Sequence, residues 1–181
     1  MTTLDPALAW TLRLSLALLL AAAASQKLRE PAAFAAAVDG YHLTPSWAAA
    51  PLAAALLLGE IVAAGLLVMP SVHSSGALLT AALLALYAAA MAINLGRGRR
   101  DLDCGCGGPG TRRPVSGALV LRNLVVASAA LPLLLPAGDR TLGWIDAITV
   151  LAATGSAVAL WNAIGRLEAN RPAVARVRGI A

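Results

Sequence analysis

The chain has 181 residues, of which 59% are hydrophobic and only 13% charged, with a formal net charge of +5. Its mean hydropathy of +0.76 excludes an ordinary soluble domain and indicates an integral membrane protein. A chain of this length has room for about five helical spans of ~20 residues, which we assign to a single membrane domain over residues 1–181.

Long apolar runs occur five times along the chain. None alternates between apolar and polar residues, so the runs predict helices and not barrel strands. A signal peptide is an alternative for the first run, where Arg13 precedes small residues, but its length favours a span. The sequence thus predicts an all-α membrane protein, a compact bundle of about five transmembrane helices built as a four-helix core plus one. The predicted spans are Ala7–Ser25, Ala48–Met69, Gly76–Leu95, Gly117–Pro136 and Trp144–Ile164.

The segment Gln26–Trp47, between the first two spans, is too long for a simple turn and too polar to cross a membrane. Phe34 and Tyr41 lie at helical spacing, Pro31 suits the first position of a helix, and Gly40 suits its end. We therefore predict a short interfacial helix after the first span.

Lysine and arginine are distributed unevenly between the two sides of the predicted bundle. One side has only Arg140 in its connections, whereas the other includes the loop 96–116 and the tail 165–181. The positive-inside rule then predicts an external N-terminus and a cytoplasmic C-terminus in the inner membrane of a bacterium. This asymmetry explains the pI of about 10.2 without a nucleic-acid partner. The basic side carries Lys27, Arg29, Arg97, Arg99, Arg100, Arg112, Arg113, Arg166, Arg171, Arg176 and Arg178.

Several polar side chains lie inside the apolar runs or at their ends. Charges at such depth are costly and usually face the interior of a bundle. Glu60 and Arg122 are therefore expected either to pair with each other or to line one pocket, and a purely structural ion pair is the alternative. Asn94 and Asn123 are expected near the same pocket. Arg13, close to the end of its span, is expected to extend to the interface.

Both cysteines, Cys104 and Cys106, lie in the glycine-rich loop between the third and fourth spans. The single glycine between them permits the tight turn that a disulfide needs, and the strain of so small a ring favours exchange. Arg122 would lower a thiol pKa, whereas Asp101 and Asp103 would raise it. A soft-metal site would need two further ligands, and the two histidines lie in other loops, so we expect no metal. Two unreactive thiols are the remaining alternative.

The order of motifs along Leu14–Leu135 resembles the MauE family of methylamine-utilisation proteins, within the DoxX-like group of redox-associated membrane proteins. The dithiol loop followed by Arg-Asn is the most specific part. The motifs are Lys27, Tyr41-x-Leu43-x-Pro45, Glu60, Asn94-Leu-Gly-Arg-Gly98, Cys104-Gly-Cys-Gly107, Ser116 and Arg122-Asn123.

The resemblance implies a role in maturing a disulfide-rich secreted subunit, that of methylamine dehydrogenase or a similar enzyme, beside a thioredoxin-like partner of the MauD type. We accordingly predict a membrane thiol–disulfide oxidoreductase in which Cys104 and Cys106 exchange and Arg122 stabilises the thiolate. A quinone or a partner thiol would occupy the adjacent pocket. The residues expected to line that pocket are Glu60, Asn94, Asn123, Lys27 and Tyr41.

Two features depart from known membrane thiol oxidases. Those enzymes pass electrons through two cysteine pairs to a quinone, and this chain has one pair. Substrate disulfides also form outside the cytoplasm, whereas the arginines put the loop inside. Either reducing equivalents cross the membrane, or the loop folds back into the bundle, or the orientation is inverted. The alternative function is a non-catalytic scaffold that docks a secreted subunit or a cytoplasmic sulfur-transfer partner through Gln26–Trp47.

Overall fold

The computed structural model describes residues 3–102, Cys104 and residues 114–177, with side chains as far as Leu167. Every regular element in this part of the chain is a helix. The helices are α1 (Pro6–Arg29), α2 (Pro31–Gly40), α3 (Ser46–Val68), α4 (His73–Gly96), α5 (Gly117–Ala130), which continues as a 3-10 turn (Leu131–Leu134), and α6 (Trp144–Val177).

Five of these helices are long and apolar enough to cross a membrane, namely α1, α3, α4, α5 with its 3-10 turn, and α6. The predicted fold class, an all-α multi-pass membrane protein, is therefore confirmed. The short helix after the first span is also present as α2, which begins at Pro31 and ends at Gly40.

Two helices extend beyond the spans predicted from hydropathy. Helix α1 continues past Ser25 to Arg29, so Lys27 lies within the helix and not in the following loop. The break comes at Glu30, because a residue before proline is disfavoured in helical conformation. Helix α6 continues to Val177 through the basic tail. The predicted spans end where the apolar residues end, whereas the helical backbone hydrogen bonds continue into the polar residues that follow.

Helices α1, α3, α4 and α5 form the core of the bundle. Their contacts combine leucines such as Leu20 and Leu67 with alanines such as Ala63 and Ala130, all buried. Small residues let membrane helices approach closely, which compensates for the weak hydrophobic driving force inside a bilayer. Helix α6 packs on α1 and is the peripheral fifth helix.

The turn between α3 and α4 brings two backbones into close contact at Gly76. A Cβ atom there would lie 2.7 Å from the backbone nitrogen of Leu67 and 2.9 Å from the carbonyl carbon of Leu66. Only glycine fits so close an approach without a shift of the backbone.

Arg13, which was expected to extend to the membrane interface, lies against the end of the spanning helix α3. Its side chain is buried and donates hydrogen bonds to the carbonyl oxygens of Leu67 at 2.7 Å and Val68 at 2.9 Å. Its guanidinium also lies 4.0 Å from the centre of the Trp10 ring. The last carbonyls of a helix lack intrahelical donors, so Arg13 satisfies the end of α3 and joins it to α1.

The residues before α1 are joined to the connection between α5 and α6. Leu4 exchanges backbone hydrogen bonds with Pro136 at 3.0 Å and Gly138 at 2.9 Å. Asp5 caps α1 by accepting from Ala7 at 2.8 Å, and its carboxylate also accepts from Arg140. Hydrogen bonds from Arg140, together with that of Ala7, hold the pKa of Asp5 below its ordinary value of 3.8.

We predict that Gly76→Ala destabilises the protein by about 1–3 kcal/mol, because the added methyl group overpacks the α3–α4 turn. Gly65→Ala is the matched control, since nothing lies within 4 Å of a Cβ there. That control should gain about 0.5–1 kcal/mol from lower unfolded-state entropy. Thermal unfolding in detergent checks both variants, and equal stability of the two would contradict the close approach.

We predict that Arg140→Gln raises the pKa of Asp5 toward 3.8, because it removes the guanidinium that favours the carboxylate. In the parent protein the pKa is lowered, so the Asp5–Arg140 contact stabilises the fold above pH 3.8. It is lost as the pH falls through the lowered pKa. An NMR titration of the labelled Asp5 carboxyl measures the shift, and Arg29→Gln, on the opposite side of the bundle, serves as control. An unchanged pKa in Arg140→Gln would contradict the contact.

Candidate functional site

A buried ion pair joins α1 to α3 inside the bundle. Lys27 is 4% exposed and Glu60 is 1% exposed, and the Lys27 ammonium donates to Oε1 of Glu60. Either charge alone would be strongly unfavourable at this depth, so each requires the other. The pair fixes the rotation of α1 relative to α3.

Tyr87 of α4 completes the cluster around this pair. Its hydroxyl donates to Glu60 Oε1 at 2.8 Å and accepts from the Lys27 ammonium at 3.2 Å. The ammonium also lies 4.6 Å from the Phe34 ring centre and 4.7 Å from that of Tyr87. Aromatic faces attract a desolvated cation, which adds to the stabilisation of the buried lysine.

The two oxygens of the Glu60 carboxylate are in different environments. Oε1 accepts from both Lys27 and Tyr87. Oε2 is buried, and no described residue donates a hydrogen bond to it. A buried carboxylate oxygen normally has a donor, so Oε2 is the atom with remaining hydrogen-bonding capacity in this cluster.

A cavity of about 530 Å³ adjoins the cluster and separates α5 from α6. Glu60 and Tyr87 form its inner wall, and the residues of α1 that line it run from Thr11 to Gln26. Leucine, valine and alanine side chains form most of the remaining surface. The other lining residues include Leu12, Ser15, Leu16, Leu18, Arg122, Asn123, Val126, Ala129, Ala157, Val158, Trp161 and Arg166.

Arg122 of α5 and Trp161 of α6 both line this cavity and contact each other. The Arg122 guanidinium is 4.5 Å from the centre of the Trp161 ring, so the contact joins α5 to α6. Asn123 is buried and donates to the carbonyl oxygen of Leu119 at 2.9 Å. Trp161 is half-buried against the cavity.

Arg99 forms a second polar cluster where α2 and α4 end. Its guanidinium donates to the carbonyl oxygens of Gly40 at 2.9 Å and Tyr41 at 3.3 Å. It also donates to Oδ1 of Asn94 at 3.2 Å, and Asn94 is fully buried. Arg99 thereby joins α2 to α4 beside the start of the cysteine-containing loop.

Cys104 is half-buried and packs against a small apolar cluster formed by Met91, Val115 and Leu119. The backbone nitrogen of Val115 donates to the carbonyl oxygen of Leu102 at 3.0 Å, which brings the two ends of the loop together. The rings of Tyr41 and Tyr87 pack on the same cluster. Cys106 lies outside the described residues.

The predicted site residues therefore fall into three neighbouring groups. Glu60, Arg122 and Asn123 line the cavity, and the ion pair of Glu60 is with Lys27. Of the two possibilities left open for Glu60 and Arg122, the structure has them line one pocket. Asn94 and Tyr41 belong to the Arg99 cluster, and Cys104 packs on the apolar cluster next to it.

Sequence reasoning missed two residues, Tyr87 and Arg99. Tyr87 could have been found, because a tyrosine within an apolar span has a hydroxyl that needs a partner. Arg99 was counted only as one positive charge among several. Its role depends on the end of α2 lying beside α4, which no local pattern reveals.

Comparison with protein families matches residues 5–136 to the family described as methylamine utilisation protein MauE. The MauE protein of Paracoccus denitrificans is 45% identical over 129 residues, which cover 71% of this chain and 69% of that protein. No solved structure matches the chain.

Two further relatives match over more of their length. The MauE protein of Methylophilus methylotrophus is 39% identical, over 86% of this chain and 82% of that protein. The MauE protein of Paracoccus versutus is 36% identical, over 97% of this chain and 96% of that protein. With these matches over nearly the whole length, the chain belongs to the MauE family of membrane proteins.

Proposed function

We propose that this protein is a membrane thiol–disulfide oxidoreductase that acts in methylamine utilisation through the Cys104 and Cys106 pair. Its substrate is a disulfide-rich secreted enzyme subunit, such as the small subunit of methylamine dehydrogenase, or a thioredoxin-like partner of the MauD type. The relatives named as methylamine utilisation proteins support the biological context. The chemistry is argued from the residues around Cys104.

The observation that carries the proposal is that Tyr87 packs against the same apolar cluster as Cys104 and also bonds Glu60. The Tyr87 ring packs on the apolar cluster that also holds Cys104, while its hydroxyl bonds the buried carboxylate. Thiol exchange consumes and releases protons, and a buried carboxylate with a hydrogen-bonded phenol is suited to transfer them. This arrangement supports a reactive role for the loop.

The proposed reaction conserves atoms and electrons. One thiolate of the substrate attacks a sulfur of the Cys104–Cys106 disulfide and forms a mixed disulfide, and the second substrate thiolate then displaces it. The substrate loses two electrons and two protons, and the cysteine pair gains them as two thiols. An acceptor, either a partner disulfide or a quinone, removes them again. Arg122, on the next helix, would stabilise the thiolate.

The orientation of the chain is part of the same proposal. The uneven distribution of lysine and arginine favours an external N-terminus and a cytoplasmic cysteine loop. Substrate disulfides form on the opposite side of the membrane. Of the three explanations of this difference in sidedness, the packing of Cys104 on the bundle supports the one in which the loop folds back toward the helices.

We predict that Cys104→Ser and Cys106→Ser each abolish oxidation of a reduced dithiol peptide by the purified protein, because each variant lacks one of the two exchanging sulfurs. Ser128→Ala, at an exposed position of α5, should keep full activity. Thermal unfolding in detergent verifies that all three variants are folded. Activity retained in both serine variants would rule out the mechanism and favour a scaffold.

We predict that the Lys27–Glu60 pair acts in the reaction as well as in the fold. Lys27→Met alone should destabilise the protein by about 3–5 kcal/mol, because it leaves a buried carboxylate unpaired. The double variant Lys27→Met with Glu60→Met should recover most of that stability, since two apolar side chains replace the pair. Peptide oxidation by the double variant should nevertheless stay lower by ~100-fold, because the proton-transferring group is gone. Recovery of both stability and activity would indicate a purely structural pair.

A further inference from the structure

The cavity between α5 and α6 has hydrogen-bonding groups that no described residue satisfies. Besides Oε2 of Glu60, the hydroxyl of Ser15 is buried without a described partner, and both residues line the cavity. Glu60 is 1% exposed, so its free oxygen faces no bulk solvent. Buried groups of this kind normally bond to something, which indicates a ligand that carries at least one hydrogen-bond donor.

The shape of the cavity restricts the ligand further. Its lining along α1 extends from Thr11 to Gln26, or about 22 Å at the rise of ~1.5 Å per residue of a helix. Its volume of about 530 Å³ lies within the ~300–1,000 Å³ of typical ligand pockets. Leu18 lines it and is 51% exposed, so it opens on the lipid-facing surface of the bundle.

We propose that this cavity binds a membrane quinone, with the ring against Glu60, Ser15 and Trp161 and the isoprenoid tail along the apolar residues of α1, α5 and α6. A phospholipid chain would fill the apolar part, but it carries no polar group at the depth of Glu60, which lies well inside the apolar helix α3. A quinone ring is neutral, so it reaches the depth of Glu60 without the free-energy cost of burying a charge. The carbonyl groups of the oxidised ring match the Ser15 hydroxyl as a donor, and the hydroxyl groups of the reduced ring match the acceptor at Oε2 of Glu60.

The bound quinone would be the electron acceptor of the cysteine pair, and this part of the proposal rests on the proposed function. Closing the Cys104–Cys106 dithiol to a disulfide releases two electrons and two protons, and these convert one quinone to one hydroquinone. Binding itself does not need the cysteines. A protein with alkylated thiols should therefore bind quinone as the unmodified protein does.

The test uses the full chain in nanodiscs of defined phospholipid, titrated with a ubiquinone that carries a decyl tail. Trp161 lines the cavity, so we expect saturable quenching of tryptophan fluorescence. Trp161→Phe should remove the saturable part. Trp144→Phe is the matched control and should keep it, because Trp144 is 75% exposed at the start of α6 and does not line the cavity.

A second pair of variants leaves the Lys27–Glu60 pair intact. Ser15→Leu fills the cavity and should abolish saturable quenching, whereas Ser128→Leu, at an exposed position on α5, should not. The proposal is overturned if quenching rises only linearly with quinone concentration, or if Ser15→Leu leaves the quenching unchanged. Either result means that the quinone has only partitioned into the lipid. Oxidation of the dithiol peptide is measured without quinone, so it tests the proposed thiol–disulfide activity independently of quinone binding.

Discussion

The arrangement of the bundle depends on one buried charge pair. Lys27 and Glu60 lie where neither charge is tolerable alone, so α1 and α3 are restricted to the rotation and height that keep them in contact. Tyr87 extends the restriction to α4 by bonding the same carboxylate oxygen. Three of the four core helices are thus held together at a single carboxylate, and Glu60 also lines the cavity.

The cavity follows from the way the fifth helix is attached. Helix α6 packs on α1, while Arg122 and Trp161 provide a contact between α5 and α6 through side chains. Alanines in this region, such as Ala129 and Ala157, do not fill the remaining space. A peripheral helix held in this way leaves an opening to the bilayer, and a membrane-soluble ligand would reach Glu60 through it without passing through water.

Two chemical groups of different kinds meet around Tyr87. Tyr87 packs against the apolar cluster that also contacts Cys104, and its hydroxyl donates to the buried carboxylate of Glu60. Arg99 stabilises this region by joining the end of α2 to α4. The proposed thiol exchange depends on this arrangement of a thiol and a buried carboxylate. Membership of the MauE family supplies the biological context, which is methylamine utilisation.

Hydropathy was sufficient to predict five spanning helices, and Pro31 and Gly40 were sufficient to predict α2, because span length and helix ends depend on local sequence. The need for Glu60 to have a partner also follows from its position in an apolar run. Which partner it has could not be predicted. Arg122 was the candidate partner, whereas the partner in the structure is Lys27, because the choice depends on which helix faces which. The partners of Tyr87, and those of Arg99 at the end of α2, were not predictable for the same reason: these contacts join residues far apart in the chain, and only the packing of whole helices brings them together.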